Sequence, residues 1–477
     1  MAIIAVLVSV LSCTNHNGPD EQTTIQASES TSTPTGDPDF ELPDLDLDGF
    51  TMTMLRSETY FTEHGVWADS DKTGDRVSEA VYKRNLKIEE KYKCTIALLK
   101  SNSDHPSSDI PLYVADDSGA VDVVFDGGGQ IVKMLDYFYD LNKLAYFDFD
   151  KPWWNREFNE GVSIGGKLYL TIGSYMTDAR QYIFHIIFDK AVADDLQISD
   201  STFYQIVRDD QWTLDKMTEY AKLASKDVNG DGVFDTNDRY GFLGQVYLNW
   251  SLALGAGLHC VEKDKDDIPI DTLGSSRNFD VIDAVLKLTT DPTVTQYAER
   301  MTGVDNVWRK LRELETSNGM WLFLGGALGD YMRAVPDPGY GVLPSPKLDE
   351  RQTRYYHDAS LGNSPTTAIP ICSNDPDKVS FILEAMSYYS YKEVLPEFYE
   401  NYLNTKLVRD DDSIEMLQLI HNSLFYDVGA LFGWGGMHSV VATMTDQNLL
   451  ASRYDSIRET ISAQMNDSVS MILKRID

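Results

Sequence analysis

Short apolar runs without period alternate with amphipathic helical patterns, and this alternation limits the possible folds more than any other feature. Cys94–Leu99 (CTIALL) and Val121–Phe125 (VDVVF) show no polar–apolar alternation, as expected of strands buried on both faces of a parallel sheet. Before them, Phe50–Leu55 (FTMTML) alternates like a strand. Val77, Val81, Ile88 and Tyr92 then recur at helical steps of four and seven residues. Lys167–Gly173 (KLYLTIG) and Tyr182–Phe188 (YIFHIIF) read as further strands. Trp212–Ser225 reads as a helix capped by Thr213, with Leu214, Met217, Ala221 and Ala224 on one face. The C-terminal third reads as helical between Asp375 and Asp411 and again after Thr443. Strands alternating with helices imply βαβ units and mostly parallel sheets. At 477 residues the chain has room for more than one such unit, at roughly 150 residues each.

Charge narrows the partners. With 41 basic against 75 acidic side chains, the net charge is −34. Nucleic-acid affinity rests on Lys and Arg displacing counterions, so no nucleic-acid partner is expected. The four cysteines, Cys13, Cys94, Cys260 and Cys372, form no CxxC pair. Cys94, Cys260 and Cys372 are expected to be buried thiols.

Cys13 stands apart because residues 2–12 (AIIAVLVSVLS) are an apolar run of signal-peptide length. Val10-Leu11-Ser12-Cys13 resembles the lipobox of bacterial lipoproteins, which implies cleavage after residue 12 and a lipid on Cys13. No positive n-region precedes it, the first basic residue being Arg56. Residues 13–50 read as a tether, polar at first and then acidic from Gly36 to Phe50. Such a segment is expected to be extended and self-repelling, with ordered structure beginning near Thr51. Anchorage on the extracellular face of a bacterial membrane follows as an expectation.

The sharpest local chemistry is Asp227–Asp238 (DVNGDGVFDTND). Oxygen ligands fall at loop positions 1, 3, 5, 9 and 12, namely Asp227, Asn229, Asp231, Asp235 and Asp238. Val233 offers the carbonyl at position 7 and Gly232 the turn at position 6, the EF-hand arrangement for Ca2+. A single loop of this kind is expected to be a structural staple, and the alternative is an Asx-rich turn without metal.

No HExxH, GxSxG, Walker A or GxGxxG motif occurs, and nothing selects a catalytic pair among 75 carboxylates. A binding protein is therefore expected in preference to an enzyme. Aromatic residues flanked by loop signals supply candidate ligand contacts: Trp67, Trp153-Trp154, Tyr175, Trp250, Trp321 and Trp434. Their rings suit the CH face of a sugar; the alternative for each is core packing.

Several stretches in order resemble the solute-binding lipoproteins of bacterial ABC importers, extracellular family 1 (the maltose-binding-like class). They are TGDRVSEAVYKRNLKIEEKY, DLNKL with KPWWN, SIGGKLYLTIG with FDK, DVNGDGVFDTNDRYGF, YGVLPSPKLDERQ, and GWGGM at Trp434. The resemblance implies an α/β, two-lobed, periplasmic-binding-protein-like fold of class II type. Lobe one would hold residues 51–173 and 326–392, and lobe two residues 177–325 and 393–477. The hinge would pass near Gly173-Ser174-Tyr175 and again near Gly325-Gly326. It also implies a cleft faced by Asp126, Gly128 and Gln130, by Ser174–Asp178, and by the loop of Trp434. The expected function is capture of a carbohydrate, an oligosaccharide by family analogy, by a monomer that hands it to permease subunits. Alternatives are a calcium-dependent surface glycan-active enzyme and a ligand sensor for a membrane kinase.

Overall fold

The computed structural model describes residues 40–58, 66–68, 75–327, 339–359, 365–404 and 410–475. The apolar run, Cys13 and the polar part of the tether lie outside the described residues. The expected strands form where their apolar runs predict, Lys167–Gly173 excepted. β1 (Thr51–Ser57) lies between β2 (Thr95–Ser101) and β3 (Val123–Gly127), parallel to both. Between β1 and β2 runs the helix Arg76–Tyr92, N-capped by Asp75, with Val81, Ile88 and Tyr92 on its buried side. The helix Leu214–Ala224 likewise begins at Thr213, whose hydroxyl accepts the Lys216 N–H, and buries the four residues its spacing selects.

A second sheet is built from β4 (Phe184–Asp189), β5 (Tyr240–Gly244), β8 (Thr295–Tyr297), β9 (Trp321–Ala327) and β10 (Tyr340–Leu343), in the order β10-β4-β9-β5-β8. β6 (Val261–Lys263) and β7 (Pro269–Asp271) form a separate hairpin. The first sheet is completed by β11 (Pro365–Ala368), antiparallel to β3, giving the order β11-β3-β1-β2. Lys167–Gly173 does not form a full strand; it touches β11 through the single pair Thr171–Thr367.

Two expectations about boundaries change. Gly325 and Gly326 pair with Ile186 and His185 inside the second sheet, so they are not at a crossing. A Cβ on Gly325 would come within 2.7 Å of the Leu248 side chain, so close packing accounts for that glycine. The chain returns to the first sheet only with β11. The second change concerns the acidic segment, which is docked from Phe40 onward. Its apolar residues alternate with acids, and this puts Leu42 and Leu47 into the core. Leu47 N–H donates to the Tyr92 carbonyl at 2.8 Å. The Phe40 ring lies 4.9 Å from Trp153 and 5.7 Å from Tyr388. Like-charge repulsion is met by docking one apolar edge while the carboxylates face outward.

Cys94, Cys260 and Cys372 are buried free thiols, as expected. No described helix is long and apolar enough to cross a membrane.

Leu47→Ala is expected to lower unfolding free energy by about 2–4 kcal/mol, the usual result for a buried leucine, measured by urea denaturation. A free tether would show no change.

Candidate functional site

The site is built where the chain passes between the sheets. Thr171 pairs with β11, whose first residue Pro365 pairs with Gly127 at the carboxyl end of β3. Residues 174–183 then lead into Phe184, which pairs with Ala327 at the carboxyl end of β9. The crossing therefore joins the carboxyl end of one sheet directly to that of the other, the edges where open α/β sheets bind ligands.

One side chain roots the crossing. The helix Pro376–Tyr389 is capped by Asp375 and buried from Val379 to Tyr389. Glu384 and Ser387, three residues apart, share one helical face. Glu384 accepts the indole N–H of Trp153 on one oxygen (2.7 Å) and that of Trp154 on the other (2.8 Å). Ser387 Oγ accepts the Ser174 N–H at 2.9 Å and donates to the Trp153 carbonyl at 2.7 Å. A Cβ on Gly173 would stand 2.6 Å from both Ser387 Oγ and the Tyr175 ring, so only glycine fits there. Tyr175 is fully buried and its hydroxyl donates to Thr367 at 3.0 Å. Burial pushes the Glu384 carboxyl up to about 7 against the pull of both indoles.

A cavity of about 200 Å3 opens beside this junction, between Trp154–Glu157, the crossing at Ser174–Arg180, and His421–Leu424. It is smaller than the roughly 300 Å3 at which small-molecule sites begin. A larger ligand would need the strand-end surfaces instead. On the first sheet, Asp126 is fully buried, with one oxygen accepting Ser107 N–H (3.0 Å) and the other Gly127 N–H (2.7 Å). Its role is to hold the loop, and the half-exposed His105 ring lies 3.2 Å from it. Gly128 packs against Leu431, Leu170 and Thr366, while Gln130 is half-buried and accepts from Lys133 at 2.9 Å.

On the second sheet, past the carboxyl end of β5, Tyr247 lies between Phe184 (5.0 Å) and His438 (5.1 Å). Its hydroxyl donates to buried Asp358 at 3.2 Å, and Ser251 donates to the same oxygen at 2.9 Å. Burial pushes the Asp358 carboxyl up to about 7 and holds the His438 imidazole down at about 4, so that ring is neutral at pH 7. Tyr247 was not singled out in the sequence, and neither were Glu384 or Ser387. Polar residues within the apolar run of the helix Pro376–Tyr389 were the available signal.

The tryptophans expected in loops are placed differently. Trp250 lies in the helix Leu248–Gly255, buried, its ring 4.8 Å from His438. Trp321 is in β9, stacked on Tyr340 at 5.3 Å, its indole N–H bonded to the Leu314 carbonyl. Trp434 is buried with its N–H on Ser468 Oγ at 3.0 Å. These three rings are core in this structure, because burying so large an apolar surface outweighs the loop signals around it. Trp67 is half-buried against the hydrophobic core. Asp178 lies in the turn Thr177–Tyr182, and its side chain is outside the described parts.

In the loop Asp227–Asp238, Asp227 accepts the Gly230 and Gly232 N–H groups at 2.7 and 2.8 Å. Asn229 accepts from Asp231, Asp231 from Val233, and Asp235 from Asn237, at 2.8–2.9 Å. Asp238 is buried and holds Val228 and Asp235, 2.9 and 2.8 Å away. Among the described residues no three His, Cys, Asp or Glu side chains are placed to hold a metal ion.

Sheet orders, crossings and strand ends together define a two-lobed periplasmic-binding-protein fold. Solved structures of similar fold include the sugar-binding protein MalE of Xanthomonas citri (13% identity, 89% of this chain and 100% of that one, TM-score 0.57). The galacto-N-biose-/lacto-N-biose I-binding protein of the Bifidobacterium longum ABC transporter, in complex with lacto-N-biose, is another (13%, 88% and 98%, TM-score 0.56). A cyclo/maltodextrin-binding protein complexed with maltotetraose is a third (13%, 91% and 100%, TM-score 0.52). No protein-family model matches the sequence, and no curated protein matches it.

Two predictions follow from the junction and the core. Glu384→Gln leaves one buried indole facing an amide N–H, with an expected cost of about 1–3 kcal/mol, largest at acidic pH. Because the folded carboxyl titrates above its ordinary 4.5, its contribution is greatest at low pH and is lost as pH rises toward about 7. Glu384→Gln removes that decline, read from urea midpoints across the range. Trp434→Ala is expected to cost about 3–5 kcal/mol, as for a core aromatic; calorimetry showing an unchanged melting temperature would put the ring elsewhere.

Proposed function

We propose that the chain is a lipid-anchored extracellular receptor that captures a carbohydrate between its lobes and delivers it to an ABC permease. The observation that carries this reading is the direct junction of two carboxyl-terminal strand edges, in a fold shared with proteins solved holding lacto-N-biose and maltotetraose. A ligand bridging both edges binds the closed arrangement better than the open one and shifts the population toward it. The ligand surface on lobe one is the Asp126–Gln130 loop with His105, and on lobe two Tyr247 with its Phe184 and His438 neighbours. Asp178 on the crossing completes it. Asp126 and Tyr175 act by positioning, since both are buried and bonded within lobe one. The chain works as a binding protein, not an enzyme, and the chemical step of import belongs to a separate ATPase.

Two further parts of the reading rest on sequence. Cys13 carries the lipid, which intact-mass measurement of membrane-extracted protein tests. The Asp227–Asp238 loop takes Ca2+ through its oxygen spacing; equal melting temperatures in calcium and in chelator would remove the ion from the account.

The function is tested by a thermal-shift screen against mono- and oligosaccharides, because a ligand of the folded state raises its melting temperature by mass action. One sugar class is expected to raise it without turnover. Tyr247→Ala should then weaken that sugar at least tenfold, about 1.4 kcal/mol, with the fold intact. No shift with any glycan would overturn the carbohydrate assignment.

A further inference from the structure

Three segments meet between the lobes, and each brings one buried histidine. His185 stands on β4 at the end of the first crossing and is 2% exposed. His357 stands on the return path toward β11 and is fully buried. His421 ends the helix Asp411–His421, is 8% exposed, and opens the segment whose backbone pairs with His357.

Hydrogen bonds favour the neutral ring at two of these positions, His357 and His421. The Ser345 backbone N–H donates to His357 Nε2 at 2.9 Å, so that nitrogen must keep its lone pair. Ser423 Oγ sends its own proton to the Leu419 carbonyl at 2.6 Å, so His357 Nδ1 carries the ring proton and donates to Ser423 at 2.7 Å. Arg180 donates to the Tyr399 hydroxyl oxygen at 2.8 Å, which leaves the Tyr399 O–H to donate a hydrogen bond to His421 Nδ1 at 3.1 Å. His185 Nδ1 donates to the Ile183 carbonyl at 3.0 Å. A second proton on His357 would set N–H against the Ser345 N–H. On His421 it would set two donors, imidazolium and guanidinium, against one hydroxyl.

The charged and titratable groups facing the cluster add no relief. Arg180 and the other two histidines oppose a charge on His421, and His185 opposes one on His357. Tyr399 is already engaged, and Tyr391 beside it faces Arg180. Asp358, next to His357 in sequence, gives its carboxyl to Tyr247 and Ser251.

We propose that His185, His357 and His421 form an acid-sensitive lock on the junction. Neutral, they hold the three crossing segments together; protonated, they repel one another and Arg180 and part the lobes. On the carbohydrate-receptor reading, which the lock's consequence for ligand rests on, acid releases the bound sugar. Burial holds His185 down at about 4 and His357 at about 3. The stability they contribute is therefore present above the ordinary 6.5 and is lost as pH falls from there toward those values.

The experiment is small-angle scattering of the full chain without ligand, from pH 7.5 downward, beside the triple variant His185→Gln, His357→Gln, His421→Gln. Glutamine keeps a donor and an acceptor but does not titrate in this range. The wild type is expected to expand reversibly below pH 6.5 while far-UV circular dichroism is retained, and the variant to stay compact over the same range. Expansion of both at the same pH, or of neither while folded, would overturn the lock. Should the triple variant not fold, the imidazole proton resonances of the wild type decide the question. The resonances of His185, His357 and His421 should titrate together, below 6.5 and at the pH of expansion; their titration near 6.5, or apart from the expansion, would overturn the proposal. Because scattering needs no sugar, this result is separate from failure of the carbohydrate screen.

Discussion

The fold turns on a single buried carboxylate. Glu384 receives two consecutive indoles, one on each oxygen, and thereby fixes the segment that pairs with the start of the crossing. Ser387, one helical turn later, fastens the Ser174 amide and the Trp153 carbonyl. Each contact is a modest net gain, but an unpaired partner in this apolar setting costs far more. The two tryptophans, Gly173, Ser174 and Tyr175 are consequently one unit with the helix Pro376–Tyr389. The crossing leaves lobe one from a rigid root.

What lies beyond that root is held differently. The second lobe's path back to β11 and the segment after His421 join the junction through backbone pairs and hydrogen-bonded histidines. Two outer elements also reach across. The C-terminal helix Leu450–Lys474 ties to the hairpin through Tyr454 and Asp271 at 3.0 Å. At its end Arg475 donates to the Phe138 carbonyl of lobe one at 2.7 Å. The docked acidic segment reaches the same region from the other terminus, its Phe40 ring resting on Trp153. The acidic segment is thereby seated on the root of the crossing, a contact that composition alone does not reveal.

Much of the architecture was legible because local and tertiary preferences agree. The run at Val121–Phe125 became a fully buried inner strand, whereas that at Cys94–Leu99 became the half-exposed edge strand β2, and Thr213 and Asp375 cap helices with their own side chains. That the chain crosses between the sheets after Gly173–Tyr175 was legible from family resemblance. The return crossing was not, because a glycine pair reads the same whether it bends the chain or admits a neighbouring leucine. Nor was the docking of Phe40–Phe50, where alternating Leu and Asp satisfies both a repelling tether and a half-buried edge. For the tryptophans, loop-like flanks carried less weight than the need of large rings for a core. Tyr247 was missed because its neighbours Phe184, Asp358 and His438 are far from it in sequence.

Hydrogen exchange measured with and without the carbohydrate giving the largest thermal shift tests the central claim most directly. A receptor that closes on its ligand should gain protection at Gly127–Ile131, at Thr177–Tyr182 and around Gly244–Leu248, with the outer helices unchanged. Protection confined to one lobe, or spread evenly over both, would contradict a ligand bridging the two strand edges.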